Sequence, residues 1–260
     1  MRAKLLGIIA LLCVGVSPAA SQAPSFKPSF NCKTATQADE RTICANSELS
    51  RLDNVAAAMY NDVRRRYGDQ FAKSINTPLF QARRACATDV DCIKAQQNAQ
   101  IKIFVALGQS RVYISPDEKL HALVYPVDLD VHQWENRVVV STSDGKLLTT
   151  KDHSSEGGGH GNYVETAKWS PDSQFFVYTM SSSGGHHPWY FPMEVYSRQK
   201  NIFASDDVVI GDKPVLSKDF KFTGPHTVLV TISATAGLDK EVPTAVDLEE
   251  AIKKIAPSSH

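Results

Sequence analysis

The distribution of cysteines divides this chain into two parts. Four cysteines fall in a stretch that otherwise favours helices, and none follows them: Cys32, Cys44, Cys86 and Cys92. A module this small buries too little apolar surface to be stable by its core alone, and disulfide bonds commonly supply the missing stability. The sequence therefore predicts an α+β protein of two domains. A small disulfide-bonded all-α module over residues 29–108 precedes an all-β domain over residues 110–260.

Residues 1–21 are predicted to be a secretory signal peptide. A basic start at Arg2 and Lys4 precedes an apolar run that is too short to span a bilayer, and small residues follow it. We expect cleavage close to Ser21, so that residues 22–28 form an extended leader before the helical module. Export and an even number of remaining cysteines suit an oxidising compartment, so the predicted location is periplasmic or secreted.

Charge and hydropathy exclude several classes of partner. Lys plus Arg and Asp plus Glu both number 28, and loss of Arg2 and Lys4 leaves the mature chain slightly acidic. The sequence predicts no basic face, which argues against nucleic acid and against electrostatic attraction to a membrane. No later segment is apolar enough to span a bilayer, and no cofactor motif is present. We therefore expect a protein partner and no cofactor.

Helical spacing and capping residues predict four helices in the module. A short helix capped by Thr34 or Thr36 runs to about residue 45, and a longer one, capped by Asn46 or Ser47, ends at Gly68. Residues 69–77 are interpreted as a linker, after which Thr77-Pro78 opens a third helix to about residue 87. Thr88 or Asp89 caps the last helix, which continues to about residue 107. Glu40 and Asp53 are interpreted as structural partners of helix ends or of an arginine.

Four cysteines allow three pairings. Cys32 precedes the first helix and Cys44 lies near its end, while Cys86 and Cys92 flank the turn between the last two helices. Both spacings can close locally, which favours Cys32–Cys44 with Cys86–Cys92. A crossed pairing, which would staple the two halves of the module together, stays open. A zinc site is disfavoured because no C-x2-4-C pair is present.

The cysteines lie within the pattern F-x-C-x2-A-x4-E-x2-I-C-x4-L-x2-L-D, followed by R-x2-C-x5-C. In this chain the pattern begins at Phe30, continues through Glu40, Ile43 and Asp53, and resumes at Arg83. It resembles the LprI-type lysozyme inhibitor family over roughly residues 29–107. The resemblance implies a small, all-helical, disulfide-bonded exported module in which the cysteines are structural. It also implies lysozyme as a partner, and it identifies no inhibitory residue.

After residue 110 the apolar period changes from that of a helix to that of a strand, with turns at residues 143–145 and 197–201. The segment Ile114-Ser-Pro-Asp117 recurs as Trp169-Ser-Pro-Asp172, and this element resembles the blade repeat of TolB-type β-propellers. Pro suits the second position of such a turn, and the Asp side chain can accept hydrogen bonds from the amides that follow. A weaker echo at Phe222-Thr-Gly-Pro225 makes a third copy, and three copies are too few for a closed ring. The resemblance implies blade-like antiparallel meanders that do not form a complete propeller, and we expect a short amphipathic helix over residues 245–255.

Two glycine-rich loops carry most of the candidate functional residues of the β domain. If the loops are neighbours, their histidines and Glu156 could hold zinc or copper; the candidate ligands are His153, His160, His186 and His187. The alternative is that exposed glycine-rich loops simply tolerate histidine. The adjacent Trp189, Tyr190 and Phe191 could form a contact surface or could be buried beneath the sheet.

The chain contains no recognisable catalytic motif. The G-x-S-x-G elbow, H-E-x-x-H, phosphate loop and dinucleotide fingerprint are all missing. The sequence therefore favours a non-enzymatic exported binding protein, with lysozyme or another envelope component as its partner. Two alternatives remain open: a scaffold whose β domain docks a partner while the helical module is accessory, and a metal-binding β domain.

Overall fold

The computed structural model describes residues 26–234, 240–253 and 255. The predicted signal peptide and most of the predicted leader lie outside the described residues. The amino-terminal part is helical, with a 3-10 turn at Cys32–Thr34 followed by α1 (Ala38–Ala45), α2 (Ser47–Tyr67), α3 (Asp69–Ala85) and α4 (Val90–Gly108).

Side-chain caps fix where these helices begin. Asn46 accepts hydrogen bonds from the first amides of α2, and Asp89 accepts one from the Cys92 amide at the start of α4. Gly68 ends α2, as predicted. At α1 the capping residue is Gln37 and not Thr36, and the Glu40 carboxylate accepts from the backbone amides of both.

The prediction of a linker over residues 69–77 was wrong, because this segment forms the first half of α3. Pro78 lies inside that helix and does not open a new one. Phe71 and Ala72 are fully buried, and full burial of a phenylalanine side chain contributes about 1.5–3 kcal/mol, which offsets much of the roughly 3 kcal/mol that a proline inside a helix costs. Packing against the rest of the protein therefore decides the structure here.

The disulfides confirm the local pairing. Cys32 is bonded to Cys44 and Cys86 to Cys92. Long-range connection between the two halves of the module comes instead from the buried Arg83, whose guanidinium lies 2.9 Å from Asp39 and 3.3 Å from Asp53. The structural interpretation of Asp53 is thus confirmed.

The β part consists of three antiparallel sheets whose strands follow chain order. The first contains β1 (Arg111–Ile114), β2 (Leu120–Pro126), β3 (Asn136–Thr142) and β4 (Leu147–Asp152). The second contains β5 (Asn162–Trp169), β6 (Phe175–Ser182), β7 (Met193–Ser197) and β8 (Ile202–Ser205). The short helix α5 (Asp206–Val209) leads to the third, made of β9 (Lys221–Phe222), β10 (Thr227–Ser233) and β11 (Glu241–Asp247), which α6 (Leu248–Lys253) follows.

The sheets stack face to face, and each interface is an apolar core. Ala122 and Val124 of the first sheet pack against Phe176 and Tyr178 of the second. Val177 and Val195, on the other face of the second sheet, pack against the third sheet and α6. In the described residues the sheets form an open stack of blade-like meanders and not a closed ring, which confirms the predicted fold class.

The repeated Ser-Pro-Asp turns join the first two strands of the first and second sheets. The Ser115 and Ser170 hydroxyls donate to Asp117 and Asp172, at 2.7 and 2.5 Å. Each of these serine oxygens also accepts from the amide that opens the next strand. The repeats also touch one another, because the Asp117 amide donates to the Ser173 hydroxyl at 3.0 Å.

The carboxyl-terminal prediction was only partly correct. Residues 241–247 form β11, and only the shorter α6 is helical. All seven residues of β11 pair with β10, which satisfies backbone groups that a helix would have satisfied internally. Leu248 and Ile252 are buried as the apolar side of α6.

The helical module and the first sheet share one core. Phe71, Phe104 and Leu107 pack against Leu123 and Tyr125 of β2. The β3–β4 turn also contacts the junction of α2 and α3. Gly145, in this turn, has φ +90°. A Cβ at this glycine would lie 2.9 Å from the Tyr67 carbonyl oxygen, so the close approach requires glycine. The helices thus cover the face of the first sheet opposite the second sheet.

Candidate binding surface at the loop end of the sheets

Four connections emerge at one end of the first two sheets. In an up-and-down meander alternate connections lie at the same end, and this end carries the links that follow β2, β4, β6 and β8. We define the loop surface as residues 127–135, 153–161, 183–192 and 206–214. The two histidine-rich loops of the sequence analysis both belong to it.

Glu135 ties three of these loops together. Its side chain is buried, and its carboxylate accepts hydrogen bonds from the Ser155 amide (3.0 Å) and hydroxyl (2.9 Å), the Gly161 amide (2.7 Å) and the Ser183 hydroxyl (2.9 Å). Burial by itself would raise the pKa of this carboxyl, but the hydrogen bonds outweigh it and lower the pKa to about 2. The loops are therefore organised around a buried negative charge.

His132 adds a second link between the first two loops. Its Nδ1 lies 2.9 Å from a carboxylate oxygen of Asp128, and its Nε2 lies 3.0 Å from the Ser155 carbonyl oxygen. The hydrogen bond to Asp128 is the main cause of a raised His132 pKa. Protonated His132 can donate to both partners at once, so it holds the loops most firmly when charged.

The structure brings three of the four predicted histidines to one cavity and separates the fourth. His160 and His186 stack with ring centroids 5.2 Å apart, and with His187 they line a cavity of about 450 Å³. His153 is buried, with Nε2 at 2.9 Å from the Tyr178 hydroxyl, and burial lowers its pKa. Within residues 26–234, 240–253 and 255, no three His, Cys, Asp or Glu side chains are grouped so that they could hold a metal ion.

The three predicted aromatic residues have different environments. Trp189 is 50% exposed, and its indole meets the His187 ring edge to face at 5.4 Å. The Tyr190 hydroxyl donates to Asp206 at 2.7 Å, and Phe191 packs against the core between the second and third sheets. Only Trp189 therefore offers a large exposed contact area.

A second cavity, of about 410 Å³, opens between the β6–β7 loop and α5. Trp189 and Tyr190 form part of its wall, and three carboxylates line it: Asp206, Asp207 and Asp212. Burial raises the pKa of Asp206 in spite of the Tyr190 hydrogen bond, whereas a hydrogen bond from Ser205 lowers the pKa of Asp207. This cavity thus combines an aromatic wall with three carboxylates.

Sequence reasoning missed Trp134, Glu135 and Asp206. Trp134 is 64% exposed, and Val131 is exposed on the same loop. A tryptophan in the polar loop between two strands was the available signal for the first of these. Glu135 and Asp206 have no local signature, because the residues of other loops that they bind lie 16 to 48 residues away along the chain.

The matches of this chain to known proteins come from solved structures. No family model and no curated protein match it. The solved structures that match include a crystal structure of a protein from Clostridium novyi NT, described as a "putative conserved lipoprotein". It is 10% identical with a TM-score of 0.34, over 54% of this chain and 86% of that one. In the described part of this chain, no helix is long and apolar enough to cross a membrane.

Proposed function

We propose that this protein is an exported, non-enzymatic binding protein that engages a protein partner through its loop surface. Disulfide bonds are typical of proteins outside the cytosol, and the described residues contain two. The loop surface supplies the features of a protein contact, whereas the helical module presents its arginines mainly in ion pairs with neighbouring acids. The larger, β-sheet part therefore carries the proposed binding function.

The observation that supports this proposal is the presence of two exposed tryptophans on loops that are held in place. Trp134 and Trp189 are the two most exposed tryptophans described, and Glu135 binds the loop that precedes Trp189 through Ser183. Tryptophan is enriched among residues that dominate binding energy, and a contact made by a preformed loop loses less entropy on binding.

Lysozyme is the first partner to test, because the amino-terminal pattern resembles a lysozyme inhibitor family. Lysozyme is cationic, and the cavity beside Trp189 is lined by three aspartates and one lysine. The acidic and aromatic surface that an inhibitor of a cationic enzyme needs is thus present on the loops. We propose that any inhibition is exerted there.

The test measures lysozyme activity on bacterial cell walls with rising amounts of the mature protein, in parallel with capture of partners from envelope extract. A Trp134→Ala/Trp189→Ala variant should lose most inhibition or capture. A matched Phe26→Ala/Val90→Ala variant, which removes exposed apolar side chains from the amino-terminal part, should retain it.

Two results would contradict the proposal. Capture that survives loss of both tryptophans would remove the binding function from the loop surface. A hydrolytic or transferase activity of the purified protein would remove the non-enzymatic assignment. Absence of lysozyme inhibition alongside tryptophan-dependent capture of another envelope protein would exclude lysozyme as the partner and retain the binding function.

A further inference from the structure

The cavity beside Trp189 has an uncompensated negative lining. Asp206, Asp207 and Asp212 face a single cationic residue, Lys213, among its lining residues. Within the described part of the chain none of these four side chains takes part in an ion pair. Other aspartates do have a lysine or arginine within 4.0 Å: Asp39, Asp53, Asp62, Asp69, Asp117, Asp130 and Asp152.

The three carboxylates differ in how many hydrogen bonds they already accept within the protein. Asp206 accepts the Tyr190 hydroxyl and the Asp207 amide, so it belongs to the wall of the cavity. Asp207 accepts the Ser205 hydroxyl, and Asp212 is exposed. Asp207 and Asp212 thus retain free acceptor capacity at the mouth, because each carboxylate can accept about four hydrogen bonds.

The aromatic wall is held in a fixed position. His187 has φ +63°, a conformation that residues other than glycine rarely adopt, and its ring packs on the Trp189 indole. Tyr190 is anchored through its hydroxyl to Asp206. An indole held half-exposed beside unpaired carboxylates provides two complementary attractions for a cation, from the ring face and from the negative charges.

We infer that this cavity accepts an arginine or lysine side chain projecting from a basic protein partner, an inference that rests on the proposed function. A guanidinium or ammonium group would pair with Asp207 and Asp212 while its stem or plane lies against Trp189. A sugar would also stack on tryptophan, but a neutral ligand would leave the negative lining uncompensated. Charge complementarity therefore favours the basic side chain.

The test is calorimetric titration of the mature full-length protein with an acetylated, amidated tri-arginine peptide at low salt. Tri-lysine, tri-glutamate and tri-N-acetylglucosamine are titrated in parallel. We expect saturable binding of the two cationic peptides only, weakened when salt is raised. The Asp207→Asn/Asp212→Asn variant should bind about tenfold more weakly, the sum of two modest ion pairs. Trp189→Ala should weaken binding by about threefold or more.

A matched control separates the cavity from net charge. Asp91→Asn/Glu241→Gln removes two exposed acids elsewhere and should bind the cationic peptides as the unchanged protein does. Equal weakening in this control, or equal binding of tri-glutamate, would overturn the inference. Salt-independent binding of tri-N-acetylglucosamine would assign the cavity to a sugar and overturn it as well.

The partner assay distinguishes failure of this inference from failure of the proposed function. Partner capture that requires Trp134 and Trp189, but is unchanged in Asp207→Asn/Asp212→Asn and in high salt, would overturn the basic side chain and leave the loop surface as the binding site. Capture that falls in both Trp134→Ala/Trp189→Ala and Asp207→Asn/Asp212→Asn supports the proposed function and this inference together.

Discussion

At the scale of single residues, Glu135 shows how a buried charge can organise a surface. Three residues donate four hydrogen bonds to its carboxylate: Ser155, Gly161 and Ser183. They lie on the two loops that carry the candidate histidines, and the second of these loops also carries Trp189. The histidine loops could be recognised from the sequence by composition. Their anchor could not, because nothing local distinguishes Glu135 from an exposed glutamate, and its donors lie 20 to 48 residues further along the chain.

Glu135→Gln should lower the free energy of unfolding by about 1.5–3 kcal/mol, because an amide replaces a carboxylate that receives charge-assisted hydrogen bonds. Urea unfolding at neutral pH measures the change. Glu118→Gln, at an exposed turn position, should change stability by less than about 0.5 kcal/mol.

The unchanged protein and Glu135→Gln also allow a test of how stability depends on pH. The Glu135 pKa is about 2 in the folded protein, below the ordinary glutamate value of 4.5. Its stabilising contribution is therefore present above about pH 4.5 and is lost as the pH falls towards 2. The difference in stability between the unchanged protein and Glu135→Gln should shrink over this window. A difference that stays constant would contradict the charge-based account.

His153 should make the free energy of unfolding depend on pH closer to neutrality. Burial lowers its pKa, so the folded protein favours the neutral ring and the unfolded chain takes up the proton first. The contribution of His153 is complete above its unfolded pKa of about 6.5 and is lost as the pH falls below it. In His153→Gln, whose amide can still donate to Tyr178, urea midpoints should fall less over this window. An equal fall in both proteins would exclude His153 as the cause.

At the scale of elements, the predictions succeeded where a local signal decides the structure. Asn46, Gly68 and Asp89 mark helix ends by their own side chains or backbone freedom, and all three do so in the structure. The Ser-Pro-Asp turns are equally local. The predictions failed where contacts with distant residues determine the secondary structure. Burial of Phe71 against the first sheet stabilises residues 69–77 as part of α3, and pairing with β10 stabilises residues 241–247 as β11.

Pro78 offers a test of this competition within one helix. A proline has no amide hydrogen, so the helical hydrogen bond to the Ser74 carbonyl cannot form. Pro78 is exposed, and Pro78→Ala should raise the free energy of unfolding by about 1–2 kcal/mol, after allowance for the greater freedom of the unfolded chain. Chemical denaturation measures the change, with Gln81→Ala as a control on the same helix. A loss of stability would show that α3 depends on the proline.

At the scale of the whole molecule, the helices and the three sheets form successive layers with a core between each pair. The two parts of the chain have different cysteine contents and different periods, yet Phe71 and Tyr125 belong to one cluster. Periodicity predicted both parts but not their contact. A partial signal existed in Val138-Val139-Val140, because three consecutive apolar residues in a strand indicate burial on both faces.

Phe71→Ala should therefore destabilise both parts. Truncating a fully buried phenylalanine costs about 3–5 kcal/mol, and its cavity would lie at the layer that joins helices and sheets. The helix signal in far-ultraviolet circular dichroism reports on the helical part, and tryptophan fluorescence reports on the sheets through Trp169, the buried one of the three tryptophans. The two unfolding transitions should shift together. Phe26→Ala, at an exposed position, should shift neither. Separate shifts of the two signals would indicate that the parts unfold independently.

The two ends of the layered stack are unlike, and this gives the architecture a direction of growth. Helices seal the outer face of the first sheet, so no further repeat can be added before it without displacing them. On the outer face of the third sheet the polar Thr231 and the small Ala245 lie beside Leu229, and none of these residues belongs to the apolar core beneath the sheet. A tandem duplication could therefore lengthen the stack only beyond its last sheet, by replacing those positions with apolar ones. The helical module thus closes one end of the stack, and the number of sheets could change only at the other end.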